Sequence, residues 1–234
     1  MRVLVTRPQQ DALETADTLI ARGHQPIVAP LLSINYHAGA ELDLFGVQAI
    51  LATSVNGVRA LSRRLARRDV PVFAVGRQTA RTAKEVGFDP VKSADGDAKA
   101  LADAVPGWTT PEKGSLVHVS GTGGNAALAK ALGAAGFRIR TEYLYDVGEV
   151  HALPAVAHDA LTDAGLDAVL LFSPRSARVF AELVVRAGLG GPASGLVTAC
   201  ISAAAASRLE SLNVRDVRIA KRPNQRSLLD CLDL

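Results

Sequence analysis

Residues 46–61 read GVQAILATSVNGVRAL and residues 165–180 read GLDAVLLFSPRSARVF. Set one above the other at an offset of 119 residues, they carry the same pattern. An apolar run comes first, then Ser54 or Ser173, then an amphipathic segment with Arg59 and Arg178 at the same place. A short apolar run that ends on a hydroxyl and passes into 3.6-residue periodicity predicts a strand entering a helix. The correspondence continues: VFAVGRQTARTA from Val72 matches VTACISAAAASR from Val197 at an offset of 125, and Ala100-Leu101 matches Ser227-Leu228 at 127. One α/β unit is therefore written twice. Halves of about 115 residues suit two small domains better than one large sheet.

The same alternation fills the rest of the chain. Val3–Thr6 is an apolar run ending in Arg7-Pro8, followed by helical spacing of Leu13, Ala16, Leu19 and Ile20 up to Gly23. Further strand-like runs are Pro26–Pro30, Leu116–Val119, Ala168–Phe172 and Leu196–Cys200. Near-continuous apolar strands separated by helices mean parallel sheets covered on both faces. Ser33–His37 and Glu142–Val147 instead alternate apolar and polar residues, the mark of half-exposed strands. They flank the first repeat copy and predict a two-stranded ribbon joining two lobes. The expected organisation is a discontinuous domain of residues 1–33 plus 150–234, an inserted domain of 38–141, and a linker ribbon of 34–37 with 142–149.

Composition removes several function classes. The 234 residues are 48% apolar, 21% charged and 4% aromatic, with net charge +3. That apolar share excludes extensive disorder. No run of about 18 uncharged apolar residues is present, which excludes a transmembrane helix. MRVLVTRP enters a strand at once, so no signal peptide is expected. Cys200 and Cys231 form neither a metal-ligand spacing nor a disulfide framework, which fits a reducing cytoplasm. A mildly basic balance suits a small acidic ligand, whereas a nucleic-acid binder shows a denser basic stripe interleaved with aromatics. Arg63, Arg64, Arg67 and Arg68 are the densest basic stretch; they read as a solvated helix face or as one wall of an anion-binding surface.

Ligands of doubly wound sheets bind beyond the carboxyl ends of strands, where free helix amides attract anions. This chain places at those ends Thr6-Arg7-Pro8, Thr53-Ser54-Val55-Asn56, Gly76-Arg77-Gln78-Thr79, Ser120-Gly121-Thr122-Gly123-Gly124-Asn125, Ser173-Pro174-Arg175-Ser176 and Ser202. Taken singly, each Ser, Thr or Asn reads first as a helix N-cap. Taken together, the loops offer hydroxyls, amides, glycines and arginines. They lack the residues of a hydrolase triad, a carboxylate pair or a metal cluster. Such a site grips a polyanion rather than attacks it. The five histidines show no ligand pattern, and His118 reads as a satisfied sheet residue. Gly121-Thr122-Gly123-Gly124-Asn125-Ala126 fits G-x-G-x-x-A, with Glu142 21 residues on. That is the outline of a dinucleotide fingerprint, though on the last β-α-β of its lobe rather than the first.

The chain resembles the uroporphyrinogen-III synthase family along nearly its whole length. The resemblance is carried by Leu4–Pro8, Pro30-Leu31, Ala52–Val58, Phe73–Ala80, Tyr145, Leu171–Ser176 and Arg222-Pro223-Asn224, through their order and spacing. It implies two flavodoxin-like parallel-sheet domains joined by a two-stranded antiparallel ribbon, with a site in the cleft between them. It implies a lyase that cyclises and dehydrates hydroxymethylbilane, an eight-carboxylate tetrapyrrole precursor, to uroporphyrinogen III with inversion of ring D. No cofactor, metal, nucleic acid or membrane is expected, and a monomer suffices. Tyr145 is the candidate hydrogen-bond donor or general acid. Arg7, Thr53, Ser54, Asn56, Thr79, Ser120, Thr122, Ser173, Arg175, Ser176 and Ser202 are the candidate substrate-binding residues. Family members often carry Arg-Gly where this chain has Ser120–Gly124, and its Ile201–Ala205 departs from Gly-x-x-Thr-Ala, so anion contacts in those two loops differ. The competing readings are a non-catalytic two-lobed binding or sensor paralogue and a nucleotide-dependent enzyme using the Gly121 loop.

Overall fold

The structure is a computed structural model that describes every residue except Asn125, Ala164 and Leu234. The chain begins β1 (Arg2–Val5), α1 (Gln9–Ala21), β2 (Gln25–Val28) and β3 (Leu32–Tyr36). It continues β4 (Val47–Ala52), α2 (Val55–Arg64), β5 (Val72–Ala74), α3 (Arg77–Glu85), β6 (Val91–Ser93), α4 (Ala98–Ala104), β7 (Ser115–Gly121), α5 (Ala127–Ala134) and the long β8 (Ile139–Glu149). Then come α6 (Ala155–Thr162), β9 (Ala168–Leu171), α7 (Pro174–Arg186), α8 (Gly190–Ser194), β10 (Val197–Cys200), α9 (Ala203–Ala206), β11 (Asp216–Ile219) and α10 (Gln225–Leu229). Two compact units result, one of residues 1–33 with 148–234 and one of residues 34–147.

The first unit is a five-stranded parallel sheet ordered β11-β10-β9-β1-β2. Counted along its own chain this is the flavodoxin order, 2-1-3-4-5, with its topological switch between β1 and β9. Val3–Val5 and Ala168–Leu171 are completely buried, because helices cover both faces. Helix α1 buries Ala12, Thr15, Ala16 and Leu19 along one stripe and leaves Leu13 and Ile20 exposed. Gly23 ends that stretch at φ +78°, where a side chain would strain the backbone.

The second unit has the order β6-β5-β4-β7-β8, all parallel, with β3 added beyond β8. Its own strand count is 3-2-1-4-5, so its switch lies between β4 and β7. The two sheets are nevertheless one design, circularly permuted. Reading the first unit from β9 onward and wrapping to the N-terminus aligns β9, β10, β11, β1 and β2 with β4, β5, β6, β7 and β8. The internal repeat covers the first three pairs. The last two correspond at an offset of 113, which sets Gly23 over Gly136, both at positive φ. Within β4, Ile50 and Ala52 join one core layer while Ala49 and Leu51 join the other, as two-residue alternation requires.

β3 and β8 run antiparallel: the His37 amide donates to the Leu144 carbonyl, and the Val150 amide to the Leu31 carbonyl. The alternating segments thus pair with each other, but not as a free-standing ribbon, because β8 pairs with β7 at the same time. That second pairing contains a slip. Ser120 faces Tyr143, yet Gly121 faces Tyr145, so Leu144 is the extra residue of a bulge. Leu144 and Tyr145 are both buried and join the same core layer, where strict alternation would send them to opposite faces.

Among the described residues, no helix is long and apolar enough to cross a membrane, and no cluster of His, Cys, Asp or Glu could hold a metal ion. Cys200 and Cys231 are free and buried. Burial pushes the Cys200 thiol up to about 12, which makes it a core filler rather than a nucleophile.

Candidate functional site

In the second unit the candidate residues gather at the carboxyl ends of β4 and β7, on either side of the switch. Ser54 is the N-cap of α2, and its Oγ accepts the Gly57 amide at 2.9 Å. The same Oγ lies 3.0 Å from the Tyr145 hydroxyl. Tyr145 reaches it because of the bulge and because Gly121 has no side chain: a Cβ there would stand 2.7 Å from the Tyr145 ring. Thr122 donates its amide to the Tyr145 carbonyl at 2.9 Å, fixing the β7 loop against β8. Thr53 Oγ1 is 3.2 Å from Nε2 of His118, a buried imidazole whose pKa is lowered by desolvation, as a satisfied sheet histidine requires. Asn56 accepts from Arg59 at 3.5 Å. Thr79 is buried in the first turn of α3, one strand away from this group.

The glycine loop has internal reasons for each described glycine. Gly121 makes room for Tyr145, Gly123 turns at φ +76°, and a Cβ on Gly124 would fall 2.2 Å from Ser120 Oγ. Ser120 is buried and donates to the Gly121 carbonyl. Glu142, the acidic residue of the fingerprint outline, is paired with Arg140 at 2.9 Å. Asn125 lies outside the described residues.

In the first unit the candidates divide between caps and ion pairs. Ser173 caps α7 and forms a reciprocal capping box with Ser176, which is buried. Ser202 caps the short α9. Replacing Ser173 by Ala should destabilise this unit by about 1 kcal/mol, read as a lowered denaturant midpoint with an unchanged slope. Arg7 is mostly buried: it lies 2.6 Å from Gln225 Oε1, 3.2 Å from Thr15 Oγ1 and 3.4 Å from Asp11, and packs over Phe172. Arg175 is half exposed and pairs with Glu149 at 3.3 Å, while Arg178 pairs with the same carboxylate at 2.6 Å.

Sequence reading left four of these partners out: Gln225 and Glu149 here, and His37 and Asp146 beside Tyr145. His37 Nε2 lies 2.8 Å from Asp146, and Nδ1 lies 2.9 Å from the Tyr143 carbonyl. Both bonds raise the His37 pKa above its ordinary value. Hydrogen bonds from Thr122 and then His37 lower that of Asp146. The signal was available: two alternating segments paired antiparallel, with His37 opposite Leu144, make His37 and Asp146 diagonal neighbours.

A family model described as uroporphyrinogen-III synthase HemD matches residues 14–230. The chain belongs to the uroporphyrinogen-III synthase family. A curated protein of Methanocaldococcus jannaschii, named "Putative uroporphyrinogen-III synthase", is 32% identical over 97 residues, covering 38% of this chain. The match spans 40% of the length of that relative. The fold is that of a uroporphyrinogen-III synthetase from Helicobacter pylori, with a TM-score of 0.65 at 19% identity over 99% of this chain and 98% of the other. A mutant uroporphyrinogen III synthase from Thermus thermophilus matches with a TM-score of 0.54 at 17% identity, over 100% and 97%. The stretches that resemble the uroporphyrinogen-III synthase family fall mostly just past the carboxyl ends of β1, β2, β4, β5 and β9, with Tyr145 on β8 and Asn224 capping α10. That is the edge where a doubly wound sheet binds its ligands.

Proposed function

We propose that this chain converts hydroxymethylbilane to uroporphyrinogen III, with Tyr145 as the group that assists departure of the terminal hydroxyl. The observation that carries the reading is the Tyr145–Ser54 hydrogen bond at the β4/β7 switch of a uroporphyrinogen-III synthase family chain. Ser54 Oγ already accepts the Gly57 amide, so its own proton is free to point at the phenolic oxygen. The phenol proton then points outward. Amide to serine to tyrosine to leaving oxygen is a head-to-tail chain, in which each bond polarises the next.

The chemistry balances as the loss of one water. The C–O bond of the hydroxymethyl group breaks, and the leaving oxygen takes a proton by way of Tyr145. The azafulvene cation left behind forms a C–C bond to the substituted position of ring D. The resulting spiro intermediate fragments and recloses with that ring inverted, and a proton is released. Without assistance the bilane closes uninverted, so the protein's larger task is orientation of one flexible acidic chain. Hydroxyls and main-chain amides around Thr53, Ser54, Asn56, Thr79, Ser120, Thr122, Ser173, Ser176 and Ser202 would share the carboxylates with Arg175. Arg7 would act chiefly by holding its loop. No nucleic acid or second subunit enters this scheme, and the cytoplasm is its proposed setting.

Supplying hydroxymethylbilane and resolving the I and III isomers after oxidation tests the function. Predominant isomer III supports it; isomer I at the uncatalysed rate leaves a non-catalytic binding protein. Gly121→Ala is expected to push the Tyr145 ring off Ser54 and lower kcat by at least about tenfold, with the far-ultraviolet circular dichroism unchanged. An active Gly121→Ala protein would remove the Tyr145 seat from the mechanism.

A further inference from the structure

Four consecutive residues of β8 are tied down around the Tyr145 hydroxyl, and His37 makes three of the ties. Its main-chain amide donates to the Leu144 carbonyl at 2.9 Å. Its Nδ1 meets the Tyr143 carbonyl and its Nε2 the Asp146 carboxylate. From the other flank, Thr122 gives its amide to the Tyr145 carbonyl and its hydroxyl to Asp146. Asp146 is thus the point where β3 and the β7 loop meet, one residue beyond Tyr145.

The two ring contacts favour one protonation state. A carbonyl oxygen and a carboxylate only accept hydrogen bonds. A neutral imidazole has one N–H, so it would turn a lone pair toward one of the two acceptors. Only the imidazolium, a donor at both nitrogens, satisfies both.

We propose that His37 is a positioning residue: its imidazolium bridges Tyr143 and Asp146 and thereby holds residues 143–146 so that the Tyr145 hydroxyl stays seated on Ser54. This rests on the reading of Tyr145 given above. The charged groups facing His37 are Asp146 on β8, which favours its protonation, and Arg64 on α2, which opposes it and whose guanidinium lies 3.5 Å from the His37 carbonyl. Because the folded pKa of His37 is raised, the bridge is complete below about 6.5 and is lost as pH rises through the elevated value. Because that of Asp146 is lowered, its contribution is present above the ordinary carboxylate range and is lost as pH falls through the depressed value. The bridge therefore spans the interval between those two titrations.

The test is a nitrogen-15 titration of the imidazoles in the intact protein, with His37 identified by its disappearance in His37→Gln. Both ring nitrogens should remain protonated above pH 6.5, and the Tyr145 ring signals should shift with the same midpoint. Asp146→Asn should lower that midpoint. In turnover, kcat should show an alkaline limb at the His37 midpoint. The limb should vanish in His37→Gln, with kcat roughly tenfold lower and KM little changed, and move to lower pH in Asp146→Asn. A merely structural histidine would change stability without moving that limb. Titration of His37 at or below 6.5, or Tyr145 signals indifferent to it, overturns the proposal. A chain that makes no uroporphyrinogen III refutes the proposed function instead, and the spectroscopic arm still decides the role of His37.

Discussion

Tyr145→Phe lowers kcat by about a hundredfold while product affinity changes little, because a positioned proton donor contributes about 10²-fold or more and binding is spread over many loops. The substitution removes one oxygen. Ser54 keeps its Gly57 partner, so the structural cost is about 1 kcal/mol, the worth of one hydrogen bond. Steady-state turnover with isomer analysis, set beside calorimetric binding of the porphyrinogen product, separates the two effects. If turnover survives, the phenol is a packing group and the leaving hydroxyl finds its proton elsewhere. Ser54→Ala should give a smaller loss of the same kind, since it removes the donor behind the phenol but not the phenol itself.

Arg7→Ala has the second large effect, and it falls on stability. The guanidinium and the Asp11 carboxylate are each nearly nine-tenths buried, and Thr15, Gln225 and Phe172 also contact the guanidinium. Removing the cation takes an ion-pair partner from a mostly buried carboxylate, which costs about 3 kcal/mol. For a chain of this size that lowers the melting temperature by roughly 10 °C. Arg7→Lys should recover only part of the loss, because one ammonium cannot reach Asp11, Thr15 and Gln225 in the planar fork that arginine offers. A soluble Arg7→Ala protein with unaltered melting temperature and weakened product binding would return Arg7 to the role of a carboxylate grip.

The duplicated strand-Ser-helix pattern makes the sheets legible in the sequence, because an apolar strand ending on a capping hydroxyl is a local property. Ser54 and Ser173 stand between strand and helix in that pattern, where a hydroxyl reads as an N-cap, and both are N-caps. The permuted counterpart, β1-α1-β2 against β7-α5-β8, was not legible. Its halves stand in reversed order along the chain, and a search at one offset passes over it. Arg7 shows the limit for side chains. A basic residue in a loop at a carboxyl edge looks open from sequence, and only the return of α10 brings Gln225 to occupy it. His37 shows the converse, a histidine without any motif whose meaning comes from the strand beside it. Glu149 is invisible for the same reason: its two arginines lie on α7, beyond α6 and β9.

The single unmatched residue at Leu144 absorbs one step of mismatch between β8 and β7, so Tyr145 keeps its place opposite Gly121. A regular pairing that kept Leu144 would instead set Tyr145 opposite Thr122 and send every later side chain of the strand to the other face. A lineage of such chains can therefore accept many substitutions along this edge, but one that pulled the bulge straight would turn the phenol away from Ser54.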